Sequence, residues 1–303
     1  MHPALDTSIA ATVRSLWPTV FPDLKLTAPK LLLASDEYDT WRVGDVVVKF
    51  PKAQEFADKL DRSVAIRDEL AARLGPIVPG VVAVGVPAKG YPWRAVAFVR
   101  ARGRPGQEPD GPMIRPKSWG RTALAKQIAD ALTKVHKMPV SKAKAAGFRP
   151  RAADLDTGID VGEESIARAR KAAGDAVDSF LIAPLPAEAR TPGRSVVCHG
   201  DLKGEHIYVS EDGTRVTALI DWKDMAICDP AVDLAGLVGW LGPSFAREVA
   251  AGYEGPSDAG TVDRAVFLAR SGLLHYLDSV AAGLQSPPPP GVIDAQLRAA
   301  FSD

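Results

Sequence analysis

The stretch Val196–Val209 reads VVCHGDLKGEHIYV, and it is the most informative part of the chain. An apolar strand leads into a His-Gly-Asp turn, and a second apolar strand begins at Ile207. Twenty residues after Asp201, a further apolar run leads into Asp221. Two strands that end in carboxylates can hold a divalent cation beside a general base, because hard cations prefer oxygen ligands. The segment predicts a metal-assisted catalytic site.

Three blocks in and after this stretch resemble the motifs of the aminoglycoside and macrolide phosphotransferases, a branch of the protein-kinase-like fold. The family pattern is His-Gly-Asp, four residues, Asn or sometimes His, then Ile-Asp-Trp or Ile-Asp-Phe, then Asp-Pro-Ala-x-Asp-Leu. The matching blocks here are His199-Gly200-Asp201, His206, Ile220-Asp221-Trp222 and Asp229-Pro230-Ala231-Val232-Asp233-Leu234. Their order and intervals match, and the resemblance extends from Leu31 to Leu284.

The remaining sequence predicts an α+β, two-lobed protein-kinase-like fold. Before residue 101, β-branched runs and turn residues predict a small antiparallel sheet with one helix over 52–74. After a turn-rich connection, helical periodicity starts at Ser118 and returns near 162–182, 231–252 and 258–284, and Pro287–Pro290 precede a short tail. We expect a nucleotide-binding N-terminal lobe at 1–101 and a catalytic, substrate-binding helical lobe at 102–303.

The resemblance implies a role for each polar residue of the central motif. Asp201 is the catalytic base that deprotonates the acceptor hydroxyl, and Lys203 neutralises the transferring phosphoryl group. Asp221 and His206 hold Mg²⁺. The chain contains no Asn, so His206 stands at the second ligand position, as in some macrolide kinases. Imidazole binds a metal only when neutral, which implies activity that falls at acid pH.

Other residues of the motifs are expected to support the loop. Asp229 and Asp233 brace it by accepting backbone hydrogen bonds, and His199 is a scaffold residue. The alternatives are that Asp201 and Asp221 are ordinary turn carboxylates, or that His199, Asp201 and His206 form a zinc site.

The resemblance also implies a nucleotide site in the first lobe. Lys49 pairs with the α- and β-phosphates of ATP or GTP, and the backbone of Phe98, Val99 and Arg100 faces the purine. The position of the expected acidic partner of Lys49 is occupied by Ser63. The candidate substitutes are the acidic residues of the same helical segment, Glu55, Asp61, Asp68 and Glu69.

Residues 151–303 contain 23 acidic and 13 basic residues, which favours a cationic acceptor. An acidic run and one later residue are the candidate acceptor ligands: Asp154, Asp160, Glu163 and Glu254. The run, which includes Asp156 and Glu164, is alternatively a solvated face or the charged first turn of a helix. Trp119, Trp240 and Tyr253 would instead line an apolar pocket suited to a macrolide.

The composition excludes several classes of protein. The 37 basic and 37 acidic residues exclude a generally basic nucleic-acid binder. The lack of a long apolar run predicts no membrane span, and two cysteines favour a reducing cytoplasm. Seven residues between Asp221 and Asp229 leave no room for the activation segment of a protein kinase.

We therefore expect a monomeric, cytoplasmic antibiotic kinase that phosphorylates an aminoglycoside. A macrolide, a cationic peptide antibiotic and an ordinary metabolite are the alternative acceptors. A catalytically silent nucleotide-binding module is the alternative from another class.

Overall fold

Five short strands rich in β-branched and aromatic residues form one antiparallel sheet near the N-terminus. The computed structural model describes residues 14–108, 113–114, 116–287 and 291–302, and the chain divides into two units, Met1–Ala101 and Arg102–Asp303. The strands are β1 (Lys30–Ala34), β2 (Tyr38–Val43), β3 (Val46–Pro51), β4 (Val81–Val84) and β5 (Val96–Val99). Their order is β1-β2-β3-β5-β4, and neighbouring strands run antiparallel, which confirms the predicted sheet.

Helices cover both faces of this sheet: α1 (residues 14–20), α2 (Gln54–Ala65) and α3 (Arg67–Leu74). On one face, Trp17 of α1 packs into a core with Trp41 and Val48. On the other face, Leu60 of α2 packs with Tyr38 and Val96. Lys49 pairs with Val96 across β3 and β5, and directly opposed residues share a face. The register therefore places Lys49 on the face that packs against α2.

The prediction of one helix in this unit is wrong, because the described residues form three. The single helix expected over 52–74 breaks at Ile66, which ends α2 and precedes α3. Ile66 is buried, and so is the following Arg67, whose guanidinium lies 4.9 Å from the centre of the Phe98 ring. The break thus turns a basic side chain towards the sheet, which periodicity alone does not predict.

The second unit is mainly helical, as predicted. Its helices are α4 (Ser118–His136), α5 (Val140–Ala145), α6 (Glu163–Ala173), α7 (Ala176–Ile182), α8 (Ala231–Leu241), α9 (Pro243–Gly252), α10 (Thr261–Ala281) and α11 (Val292–Ala300). A core of buried side chains joins α7, α10 and α11 and includes Phe180, Phe267 and Leu297. None of the helices in the described part of the chain combines the length and apolar content that a membrane span requires.

The expected C-terminal tail is a helix instead. Three side chains of α11, Val292, Ile293 and Leu297, are buried, because apolar residues spaced for one helical face complete the core formed by α8 and α10. Of the proline spacer before it, residues 288–290 lie outside the described part of the chain.

Two small sheets carry the motif residues of this unit. β7 (Val196–Cys198) pairs antiparallel with β10 (Ala226–Cys228). β8 (Ile207–Val209) lies between β6 (Arg104–Pro105) and β9 (Val216–Leu219). The loop from β7 to β8 contains the His-Gly-Asp turn, and the segment from β9 to β10 contains Asp221, so the sheets fix both ends of each motif.

Candidate active site

The turn after β7 requires glycine at its centre. Gly200 has a φ of +84°, and a Cβ atom at this position would lie 2.1 Å from the carbonyl oxygen of Asp224. No other residue type fits, because a side chain would meet rigid backbone in a conformation that L-residues avoid. Gly200 therefore brings the chain close to the segment after Asp221 just before Asp201 begins.

A buried carboxylate holds the backbone of this turn. Asp233, in the first turn of α8, accepts the N–H groups of His199 and Gly200, each at 2.8 Å. It also accepts a hydrogen bond from His136 Nε2 at 3.0 Å. Burial by itself would raise the pKa of Asp233, but the hydrogen bonds from His136 and from the Gly200 backbone help to outweigh it and hold the pKa below its usual value. The prediction that Asp233 braces the loop is confirmed.

Asp229 braces the same region from the other side. Its carboxylate accepts the N–H of Gly193 at 2.6 Å and the N–H of Ala231 at 2.8 Å. Arg264, buried in α10, lies with Nε 2.7 Å from Asp229 Oδ2. Asp229 thus accepts backbone hydrogen bonds, as predicted, but its donors lie before β7 and at the start of α8 rather than in the His-Gly-Asp loop.

The imidazole of His199 is neutral and bridges two backbone segments of the site. Its Nδ1 accepts the N–H of Asp201 at 3.3 Å, so Nε2 carries the proton that it donates to the carbonyl of Ile220 at 2.8 Å. Burial is the largest cause that lowers the pKa of His199, which keeps the ring neutral. The ring connects the residue before Asp221 to the residue that bears the candidate base.

Asp221 stands in an uncommon backbone conformation at the end of this connection. Its φ of 64° and ψ of 53° are left-handed, and it is the one residue other than glycine with positive φ in the described part of the chain. Asp tolerates this region better than most residues, and such strain concentrates at functional sites. The conformation makes Asp221 a candidate functional residue independently of the motif.

His206 faces Asp221 with its Nε2 atom. Its Nδ1 lies 2.7 Å from the carbonyl oxygen of Asp201. A carbonyl only accepts, so Nδ1 carries a proton, and in a neutral ring Nε2 is the acceptor. That Nε2 is 3.5 Å from Asp221 Oδ2. An imidazole nitrogen and a carboxylate oxygen that face each other at this distance form a donor pair that fits a divalent cation.

Lys203 lies between two carboxylates of the same loop. Its Nζ is 3.3 Å from Asp201 Oδ2 and 3.4 Å from Glu205 Oε2. Burial alone would lower the pKa of Lys203, but the charges of Asp201 and Glu205 outweigh burial and raise it. The sequence analysis did not select Glu205, although its position between Lys203 and His206 could have indicated it.

A helix packs directly beneath the loop. A Cβ atom on Gly236 of α8 would lie 1.6 Å from the carbonyl oxygen of Leu202, so the helix backbone touches the loop backbone. Trp240, one turn later, is buried against Gly204 and donates its Nε1–H to the carbonyl of Gly106 at 2.9 Å. The suggestion that Trp240 lines an acceptor pocket is therefore wrong: it supports the loop.

A family model described as "Phosphotransferase enzyme family" matches residues 33–265. The chain belongs to this family. Among curated relatives, viomycin phosphotransferase from Streptomyces vinaceus is 39% identical over 72 residues, which span 23% of this chain and 25% of that protein. The matched part is thus about a quarter of that relative.

Solved phosphotransferases share the fold of this chain. The GDP and kanamycin complex of APH(2")-IIia has a TM-score of 0.69 and 22% identity, over 90% of this chain and 93% of that one. Macrolide 2'-phosphotransferase MphH from Brachybacterium faecium has a TM-score of 0.63 and 18% identity, over 98% of each chain. At these identities the likeness establishes the two-lobed kinase-like fold.

In the N-terminal unit of this phosphotransferase, Lys49 Nζ lies 5.4 Å from the centre of the Tyr38 ring. Phe98 is on the same face of the sheet, opposite Val47. The N–H groups of Val99 and Arg100 are hydrogen-bonded to the carbonyls of Gly80 and Asp45, at 2.9 and 3.0 Å. These two donors are therefore engaged within the unit, and a purine contact through them would require their release.

The position expected for the acidic partner of Lys49 is filled by a neutral group. Ser63 is buried and donates its hydroxyl to the carbonyl of Leu60 at 2.8 Å. Among the candidate substitutes, Asp61 pairs with Arg94 and Glu69 pairs with Arg73. Glu55 and Asp68 are exposed.

The side chains of the four candidate acceptor ligands are exposed, and they come from a loop, from the start of α6 and from the segment after α9. Asp154 accepts the N–H of Asp156 at 3.2 Å in a loop, and Asp160 belongs to the same loop. Glu163 begins α6, and Glu254 follows α9 with its carboxylate 3.8 Å from Lys137 Nζ. No hydrogen bond or ion pair among the described residues joins these four to the Asp201 loop.

The two remaining aromatic candidates have different outcomes. Tyr253 places its hydroxyl 2.6 Å from His136 Nδ1, which makes it part of the support behind Asp233. The side chain of Trp119 lies outside the described residues.

Proposed function

We propose that this phosphotransferase transfers the γ-phosphoryl group of ATP or GTP to a hydroxyl group of a small molecule, an aminoglycoside first. The observation that carries the proposal is one short loop in which the Asp201 carboxylate adjoins Lys203 and His206, while His206 faces Asp221. A base, a cation and a metal-donor pair are the groups that phosphoryl transfer requires.

Asp201 is the proposed base. Its carboxylate is a third exposed, so an acceptor hydroxyl can reach it. As the acceptor oxygen attacks the γ-phosphorus, its proton passes to Asp201, the bond to the β-phosphate oxygen breaks, and the nucleoside diphosphate leaves. Lys203, held 3.3 Å from Asp201 Oδ2, places a positive charge where the transferring group gains negative charge.

His206 Nε2 and Asp221 Oδ2 are the proposed ligands of Mg²⁺. The ion, when bound, neutralises charge on the nucleotide phosphates. The proton on His206 Nδ1 is committed to the Asp201 carbonyl, so the ring keeps the orientation in which Nε2 meets Asp221. Lys223 Nζ, 4.0 Å from Asp221 Oδ2, adds positive charge behind this carboxylate.

The N-terminal unit supplies the proposed nucleotide contacts. Lys49 would pair with the α- and β-phosphates. The N–H groups of Val99 and Arg100 already donate hydrogen bonds within the unit. We therefore expect the purine to contact the strand carbonyls and the backbone after Arg100. The Phe98 ring lies on the Lys49 face, with the Arg67 guanidinium 4.9 Å from its centre.

Acidic residues outnumber basic residues in 151–303, which supports a cationic acceptor. Asp154, Asp160, Glu163 and Glu254 are exposed and remain the proposed ligands of its ammonium groups. The burial of Trp240 weakens the case for an apolar macrolide pocket. The two free cysteines are buried, which supports a reducing cytoplasm, and we propose that the protein works as a monomer.

The test is release of nucleoside diphosphate with Mg²⁺ and ATP or GTP, in the presence of kanamycin, viomycin, a macrolide or no acceptor. We expect acceptor-stimulated release, and Asp201→Asn should lower turnover by about 10²- to 10⁴-fold while nucleotide still raises the melting temperature. Asp130→Asn, at an exposed pair on α4, is the control and should retain turnover. Nucleotide binding without release for any acceptor would favour a silent nucleotide-binding module.

A further inference from the structure

The segment from Tyr253 to Asp258, between α9 and α10, is connected at one end to Asp233, which holds the catalytic loop, and at the other end to Asp229. The Tyr253 hydroxyl lies 2.6 Å from His136 Nδ1, and His136 Nε2 lies 3.0 Å from Asp233 Oδ2. Asp258 Oδ2 accepts a hydrogen bond from Arg264 at 2.9 Å, and Arg264 contacts Asp229. Apart from Glu254, a proposed acceptor ligand, this segment has no role in the proposed function.

One proton position in the first connection follows from its acceptor, Asp233. Asp233 accepts two backbone N–H groups, and its lowered pKa keeps it ionised. An ionised carboxylate only accepts, so His136 Nε2 carries a proton. His136 Nδ1 meets the Tyr253 hydroxyl, which also lies 3.3 Å from the Pro256 carbonyl oxygen. Whichever of the two atoms carries the proton between them, hydrogen bonds connect Tyr253 through His136 to Asp233.

The far end of this connection is the backbone next to the base. Asp233 fixes the N–H groups of His199 and Gly200, and Asp201 follows immediately. Asp233 and His136 are buried, so no solvent competes for these bonds and their strength depends on the partners. Removing the hydroxyl that holds His136 Nδ1 frees the imidazole to rotate or change tautomer, which takes one of three donors from Asp233.

We propose that Tyr253 is a positioning residue for Asp201, acting through His136 and Asp233. The inference rests on the proposed phosphotransfer, because a precisely placed base matters only if Asp201 acts as one. Asp258 and Arg264 supply a parallel connection to Asp229, which holds the N–H groups of Gly193 before β7 and Ala231 at the start of α8.

A metal site is the competing explanation for the same cluster. Donor atoms of His136, Cys198 and Asp233 lie within 4.8 Å of one another. Each donor is already engaged, however: the Cys198 Sγ lies 3.7 Å from the Cys228 carbonyl and 3.5 Å from that of Asp229. A hydrogen-bonded carboxylate and imidazole with matched donors and acceptors need no ion to satisfy them.

The test compares Tyr253→Phe with Tyr91→Phe. Tyr91 is a matched control because its buried hydroxyl donates to the carbonyl of Pro51 at 3.1 Å in the N-terminal unit. We expect Tyr253→Phe to lower kcat by about tenfold and leave the KM for nucleotide within about twofold. The amide hydrogen exchange of His199 and Gly200 should become faster, whereas Tyr91→Phe should change neither kcat nor these two amides.

The exchange measurement separates this inference from the proposed function. If the wild-type protein shows no turnover with any acceptor, the proposed function fails, while faster exchange at His199 and Gly200 in Tyr253→Phe still supports the connection. Unchanged exchange in Tyr253→Phe would overturn the inference, as would equal effects of the two variants. Stoichiometric zinc in the purified protein would also overturn it, because His136 and Asp233 would then be metal ligands.

Discussion

The side chain of His206 is oriented by the main chain of Asp201: its Nδ1–H donates to the Asp201 carbonyl over 2.7 Å. The backbone of the proposed base thus orients the neighbouring imidazole. In this orientation Nε2 points towards Asp221, and in a neutral ring it offers its lone pair there. The positions of the proposed base and of the proposed metal-donor pair are therefore coupled through a single hydrogen bond.

We predict that His206→Asn changes the metal preference of the enzyme. An amide oxygen suits Mg²⁺ better than an imidazole nitrogen does, whereas imidazole favours Ni²⁺ and Zn²⁺. The Mg²⁺ concentration that gives half-maximal turnover should fall severalfold, and that for Ni²⁺ should rise. His275→Asn, at an exposed position on α10, should change neither. Metal titrations that superimpose for His206→Asn and wild type would exclude ligation through this ring.

Replacing Lys203 with methionine should lower kcat by about 10- to 100-fold with little change in the affinity for nucleotide. The ammonium group, placed between Asp201 and Glu205, would no longer offset charge that develops on the transferring phosphoryl. Glu205→Gln should lower kcat less, because Asp201 still holds Lys203. Steady-state kinetics measure both effects, with Lys126→Met at an exposed pair as the control. A Lys203→Met enzyme with normal kcat would mean that this cation serves only the stability of the loop.

Two glycines of α8 should respond in opposite ways to alanine. At Gly236 the new Cβ would lie 1.6 Å from the Leu202 carbonyl oxygen, so the helix and loop must separate, at a cost of about 3 kcal/mol. At Gly239 a Cβ meets no atom within 4 Å, and the helix should gain about 0.5–1 kcal/mol. Urea unfolding measures both changes. Similar destabilisation by the two substitutions would contradict the close approach of α8 to the loop.

The bond between Asp258 and Arg264 should make stability depend on pH. Arg264 lowers the pKa of Asp258 through their hydrogen bond, so the stabilisation is present above the unfolded pKa and is lost as pH falls through the folded value. At pH 7, Asp258→Asn should lower the free energy of unfolding by about 1 kcal/mol, after allowance for the half-exposed carboxylate.

The difference in the free energy of unfolding between wild type and Asp258→Asn should become smaller as the pH falls below about 5. Urea midpoints at several pH values measure it, and Asp130→Asn should stay close to wild type throughout. A gap that is constant from pH 7 to pH 4 would show that the charge of Asp258 does not stabilise the fold.

Local sequence predicted the parts of the fold that depend on neighbours along the chain. The strands on either side of the His-Gly-Asp turn are short apolar runs, and the turn itself needs Gly200, so pattern and glycine position suffice. The helix break at Ile66 and the packing of α11 depend instead on the remainder of the core. Such tertiary preferences override helical periodicity, which continues through 52–74 without interruption.

Contacts between distant residues explain what the sequence could not predict of the site. His136 and Tyr253 are 117 positions apart, and His136 and Asp233 are 97 apart, so no spacing rule joins them. Trp240 could be recognised as apolar, but only the contact with Gly106 and Gly204 shows that it faces the loop. The motif therefore identified the residues that follow strands, whereas the residues that support them could be found only from the three-dimensional structure.

The link between Asp221 and Asp229 contains a short helical turn, Trp222–Asp224, and the strand β10, and most of its residues are buried. A segment this short and this well packed has no hydroxyl-bearing loop for another kinase to modify. The enzyme is therefore expected to be competent as soon as it folds.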